Sequence, residues 1–133
     1  MAFAIDRTVI QPVTSQSIAH QAGYTSAQQD IGDDTQADQI WMYLDFTGYK
    51  AAPDGNKRIL VAIQPVHTTA GTAYGDGQVQ YVFSTPSDAA YNFAIPLCSL
   101  PRFFKVYVFN DNATTDTDDN SVNVRIELLK VTS

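Results

Sequence analysis

One cysteine, one glutamate and one tryptophan stand in a chain of 133 residues, and each scarcity excludes something. With Cys98 alone there can be no intrachain disulfide and no zinc site made of cysteines only. Its neighbours Ala94, Ile95, Pro96 and Leu97 are apolar, which predicts a small buried hydrophobe rather than a nucleophile. Glu127 is the only glutamate, so nearly all the acid is aspartate. Aspartate favours turns and caps where glutamate favours helix interiors, and the imbalance predicts strands joined by Asp-rich loops.

Positive charge is also scarce. Eight Lys and Arg residues against fourteen acids give a net charge of −6 and a pI near 4.5, and only Lys57 and Arg58 are adjacent. No basic patch exists to neutralise phosphates, which argues against nucleic acid as a partner. Charged residues make up 17% of the chain, below the roughly 25% of soluble proteins at large. So low a share suits β-surfaces covered by neighbours. No apolar run approaches the ~20 residues of a spanning helix. The opening residues, Met1-Ala2-Phe3-Ala4-Ile5-Asp6-Arg7, lack the basic and long apolar regions of a signal peptide. A chain made in a cytoplasm, soluble there and without a membrane partner, is the expectation.

What is present is β-strand pattern. Residues 100–110, Leu-Pro-Arg-Phe-Phe-Lys-Val-Tyr-Val-Phe-Asn, are aromatic and β-branched, with Pro101 at the start and the turn formers Asn110, Asp111 and Asn112 at the end. Phe103, Tyr107 and Phe109 fall on one face and Phe104, Val106 and Val108 on the other, which predicts a central strand covered on both sides. Residues 39–47, Gln-Ile-Trp-Met-Tyr-Leu-Asp-Phe-Thr, are likewise apolar on both faces, with Trp41 expected as a core anchor. Alternation predicts further strands: residues 57–66, ended by Pro65, with Ile59, Val61 and Ile63 inward; 78–84; 89–95; and 122–128. The stretch from Met1 to about residue 26 alternates loosely and then turns small and polar. It reads as an extended arm or an edge strand, followed by a β-domain over 27–133. Seven or eight strands, turns about every ten residues and no amphipathic helix predict an all-β antiparallel sandwich, with a jelly roll as one form of it.

The chemistry-bearing clusters are weak. Asp116-Thr117-Asp118-Asp119-Asn120 has the oxygens calcium wants but lacks the glycine and the distal glutamate of an EF-hand loop, so a solvated acidic loop is the simpler reading. His20 and His67 have no partner at metal-ligand spacing. The glycine-rich residues 71–77 precede a strand rather than a helix and cannot form a phosphate loop. No catalytic residue, metal or cofactor is expected, and interaction is left. Tyr24, Tyr49, Tyr74 and Tyr91 read equally as exposed rings for stacking on sugars or on another subunit and as half-buried rim residues.

Three stretches together resemble the small β-sandwich virion proteins of tailed bacteriophages. These are the Trp-containing strand behind Asp38-Gln39-Ile40, the Ala94-to-Val106 run with its Leu100-Pro101-Arg102-Phe103 entry, and the alternating strand near the C-terminus. The likeness spans residues 39–131. It implies a head decoration or cement protein, at the capsid surface of a virion, with the major capsid protein as partner and a homo-oligomer, a trimer first, as its form. A tail-tip or fibre module that binds a receptor or carbohydrate is the alternative. On the cement reading Phe3, Ile5 and Arg7 are contact residues on an arm, and Tyr49 and Tyr74 are contacts on loops.

Overall fold

The computed structural model describes residues 4–32, 37–49, 58–67, 72–73, 78–84, 91–117, 119 and 121–132. Among them lie ten strands: β1 (Ala4–Gln16), β2 (Gly23–Thr25), β3 (Gln29–Asp30), β4 (Gln39–Phe46), β5 (Arg58–His67), β6 (Thr72–Ala73), β7 (Gln78–Ser84), β8 (Tyr91–Leu97), β9 (Phe103–Asn110) and β10 (Val122–Thr132). All their pairings are antiparallel. One sheet runs β1-β10-β4-β8; in the other β9 and β5 form the middle, with β2 and β3 on β9 and β6 and β7 on β5. The protein is an antiparallel β-sandwich.

Period-two patterning places the core. β4 buries Ile40, Met42, Leu44 and Phe46, and β10 buries Val122, Val124, Ile126 and Leu128 on the same inner face. Facing them, β9 contributes Phe104, Val106 and Val108 and β5 contributes Ile59, Val61 and Ile63. Each strand thus gives one face to a shared apolar layer, which is how two sheets of a sandwich hold together. Burying each such side chain is worth roughly 1.5–3 kcal/mol.

The two-faced strands resolve unequally. β9 is central as expected, but Phe103, Tyr107 and Phe109 are only half-buried, on its outer side. Trp41 is no core anchor: it stands half-buried on the outer face of β4, because Ile40, Met42 and Leu44 take the inner one. Pro65 does not end its strand. β5 runs on to His67, and Pro65 faces Phe104 inside the pairing with β9. Cys98 is exposed rather than buried, because it lies just past the end of β8.

Residues 4–16 form an edge strand, paired along their length with β10. Pro12 and Val13 are buried, so this end of the strand belongs to the core. Its first half is different: residues 4–9 are exposed on both faces. The ladder between β4 and β10 ends at Gln39 and Leu129, so Lys130, Val131 and Thr132 continue with β1 alone. Asp38 caps this two-stranded overhang, its Oδ2 accepting the Val131 N–H at 2.7 Å and its own N–H donating to the Leu129 carbonyl at 2.9 Å.

A buried polar knot closes the other end of the sandwich. Asn110 Nδ2 donates to the carbonyls of Ile18 and Thr115, each at 3.1 Å, and its Oδ1 accepts the Asn112 N–H at 3.1 Å. Thr117 Oγ1 accepts the Ile18 N–H at 2.8 Å, and the Thr117 N–H donates back to the Ile18 carbonyl at 3.0 Å. These bonds fasten the crossing after β1 to the loop after β9.

Candidate interaction surface

In a regular antiparallel ladder, residues directly opposite point to the same side of the sheet, so the registers give the outer face of the four-stranded sheet row by row. Ile5 stands opposite Val131; Arg7 lies in line with Leu129 and Gln39; Val9 lies in line with Glu127, Trp41 and Pro96; Arg125 lies in line with Tyr43 and Ala94. Ile5 is 64% exposed, Val9 48% and Val131 50%, and all three lie on this face, on the adjacent strands β1 and β10. Ile5 and Val131 are direct neighbours across the ladder, and Val9 stands two rows on along β1, beyond Arg7.

The centre of the face is polar. The Glu127 carboxylate lies 3.9 Å from the Arg7 guanidinium and 3.6 Å from that of Arg125. Arg125 also sits over the Tyr43 ring, 4.6 Å from its centroid, a cation–π arrangement that fixes the guanidinium flat on the sheet. One carboxylate thus lies between two arginines, with Asp45 next to Tyr43 on the same face of β4. Beyond it, Asp38, Gln39, Ile40, Trp41, Pro96 and Leu97 line an open hollow of about 240 Å³.

The other sheet carries a second outer surface. Tyr107 and Phe109 stack there, with centroids 6.4 Å apart and planes 23° from parallel. Gly23 faces this pair: a Cβ on it would stand 2.2 Å from the Tyr107 hydroxyl, so the bare backbone is what lets the ring lie down. At the margin Arg102 lies 4.9 Å from the centroid of the Phe103 ring and donates to Asp30 at 3.0 Å. That bond, with the Gly32 N–H at 2.8 Å, holds the Asp30 carboxyl below the usual carboxylate range. Whatever this pair adds to the docking of β3 is therefore present at neutral pH and is lost as the pH falls through that lowered value.

The residues singled out from sequence separate here. Ile5 and Arg7 are exposed, on one face of β1. Tyr49 is corrected: it is 3% exposed, packs edge-on against Phe46 at 4.9 Å, and bridges to Thr117, so its ring is core rather than contact surface. Tyr24 takes the half-buried alternative and packs against the core. Phe3 and Tyr74 lie outside the described residues, as does the side chain of Tyr91. Sequence reading missed Val9 and Val131, whose role is visible only once β1 is laid against β10. Of the acidic loop, Asp116 is described with His20: its carboxylate takes the His20 N–H at 2.9 Å and lies 2.7 Å from Nδ1. Among the described residues no three His, Cys, Asp or Glu side chains gather as metal ligands would.

No protein-family model matches the chain, and no curated protein matches its sequence. Among solved structures it is similar to a chain described under Bacillus endospore appendages that form disulfide-linked pili, at 15% identity and a TM-score of 0.37 over 96% of this chain and 88% of that one. It is also similar to a family 16 carbohydrate-binding module, at 9% identity and a TM-score of 0.42 over 88% and 74%. A third is a picornavirus capsid chain, from an expanded equine rhinitis A virus particle, at 15% identity and a TM-score of 0.35 over 94% and 72%. Likenesses this distant say nothing of function, which has to be argued from the chain's own surfaces.

Proposed function

We propose that the chain is a non-enzymatic structural protein of a bacteriophage virion, a decoration or cement protein that binds the outer surface of the head and joins neighbouring capsomers. The observation that carries this reading is the grouping of Ile5, Val9 and Val131 on one open sheet face. A face of this kind stays soluble through its charged centre, yet leaves aliphatic surface to be covered by a partner. The phage assignment draws on the sequence likeness over residues 39–131, and the partner it names is the major capsid protein. Among the described residues no strand pairs with the outer side of β1, which supports an oligomer, since a strand edge offers backbone donors and acceptors to another chain.

Sedimentation tests the proposal. Mixed with emptied heads of tailed phages, the purified protein is expected to pellet with the shells and to saturate at a fixed number per capsomer. Protein that remains in the supernatant at every concentration would count against it.

A second reading has one observation in its favour. The Tyr107 and Phe109 rings on the opposite sheet, 6.4 Å apart and 23° from parallel, are an aromatic pair on which a sugar ring can stack. A receptor- or carbohydrate-binding module of the tail would use it, and binding on a glycan array that is lost in Tyr107→Ala would move the assignment there.

A further inference from the structure

Strand β1 manages its open edge in two different ways. From residue 11 onward it is blunted: Pro12 cannot donate, the register with β10 breaks between Ile10 and Val13 and again between Val13 and Gln16, and Ser15 has a φ of 49°. Proline and bulges of this sort keep a sheet edge from adding strands. From residue 4 to residue 10 none of these devices is present. Seven consecutive residues pair with β10 in unbroken register, and among the described residues no strand pairs with the other side of them. All but Ile10 are exposed.

We propose that residues 4–10 of β1 pair antiparallel with the same residues of a second copy, joining two four-stranded sheets into one across a two-fold axis. The stretch is self-complementary. A two-fold normal to the sheet sets one residue opposite itself and pairs the rest symmetrically about it, as in any isologous contact. Centred on the middle of the regular stretch, Arg7, it uses all seven residues. Ala4 then faces Ile10 of the copy, Ile5 faces Val9, and Asp6 faces Thr8. Apolar meets apolar and polar meets polar in every pair. Ile5 and Val9, two of the three exposed aliphatics, would cover one another, and Val131 stands beside Ile5 to extend the contact.

The one unfavourable pair is Arg7 against itself. Glu127 lies 3.9 Å from each guanidinium and offsets it, but like charges directly opposite still weaken a ladder. This gives the proposal an unusual signature. Arg7→Val loses an ion pair, yet it is expected to tighten the dimer about fivefold. A residue whose role is confined to its own chain would not produce that result.

The pairing draws on the same Ile5 and Val9 side chains as the shell-binding reading, but it concerns copies of this chain in free solution and is tested without capsids, so either can fail without the other. In a Cys98→Ser background, single cysteines are placed at positions 6, 7 and 8, all exposed in the monomer. Opposed residues of an antiparallel ladder have Cα atoms about 4.5–5.5 Å apart, within the range of a disulfide. Arg7→Cys is therefore expected to form a covalent dimer readily on mild oxidation, while Asp6→Cys and Thr8→Cys alone do not. An equimolar mixture of Asp6→Cys and Thr8→Cys should cross-link to each other. Analytical ultracentrifugation of the unmodified chain should give a dimer whose constant tightens in Arg7→Val. Equal cross-linking at all three positions, a trimer, or a monomer at every concentration with and without Arg7→Val would overturn the proposal.

Discussion

Replacing Asn110 by leucine is expected to destabilise the fold by roughly 3–5 kcal/mol, although leucine matches asparagine in shape and suits a strand end better. Asn110 is fully buried, and its side chain satisfies three backbone groups: the carbonyls of Ile18 and Thr115 and the N–H of Asn112. An apolar replacement takes a partner from each of the three; the Ile18 carbonyl keeps the Thr117 N–H, and a buried group left unsatisfied costs about 1–3 kcal/mol, less whatever water or local movement recovers. The backbone of Asn110 is tied in as well, donating to Ala22 and accepting from Gln21, both at 3.0 Å. The crossing from β1 to β2 should therefore loosen together with the loop after β9. Urea unfolding with an unchanged slope would report the loss; a shift under 1 kcal/mol would mean that the knot is not what fastens these segments.

Removing β1 should cost more. A removable arm would leave the domain folded, but here Val13 is fully buried, Pro12 is buried and Ile10 packs on the core. Deleting residues 4–16 takes away that apolar surface, exposes the inner side of β10 at Val124 and Ile126, and strips one side of an eleven-residue strand of its ladder. Losing two or three buried side chains at roughly 1.5–3 kcal/mol each, with the ladder bonds at about 1 kcal/mol each, approaches the whole stability of a domain, about 5–15 kcal/mol. The truncated chain is expected to be unfolded or aggregated, as read by circular dichroism and sedimentation. A folded, monomeric product would return β1 to the status of an appendage.

Which strands exist was legible because alternation survives in residues 39–46, 103–110 and 122–128, where one face must meet a core. Which face is inside was not always legible. In β4 both faces carry large apolar residues, so the pattern alone could not choose between Trp41 and the Ile40-Met42-Leu44 row. The choice is made by the strands on either side: Trp41 lies beside Glu127 and Pro96, whereas Met42 lies beside Ile126 and Ile95. Tyr49 misled for a different reason. Its neighbours in sequence are loop formers, and its burial depends on Phe46 and on Thr117, sixty-eight positions away. The loose alternation of residues 4–9 now has a cause, since they are exposed on both faces and neither face needs to be uniformly apolar. The interaction surface was half visible: Ile5 and Arg7 could be named from β1, but Val131 joins them only through the pairing of β1 with the far end of the chain.

Seating on a phage head through this sheet face is tested by shell binding of a protein carrying Ile5→Asp and Val131→Asp, compared with the unmodified chain. Both positions are at least half exposed, so the paired substitution should leave the circular dichroism spectrum and the unfolding midpoint nearly unchanged. If the outer face of the β1-β10-β4-β8 sheet is what seats the protein on a phage head, co-sedimentation with emptied shells is expected to fall at least a hundredfold in affinity, the effect of charging a desolvated contact. A folded double variant that binds shells as tightly as the parent would contradict the account and leave that face without a function.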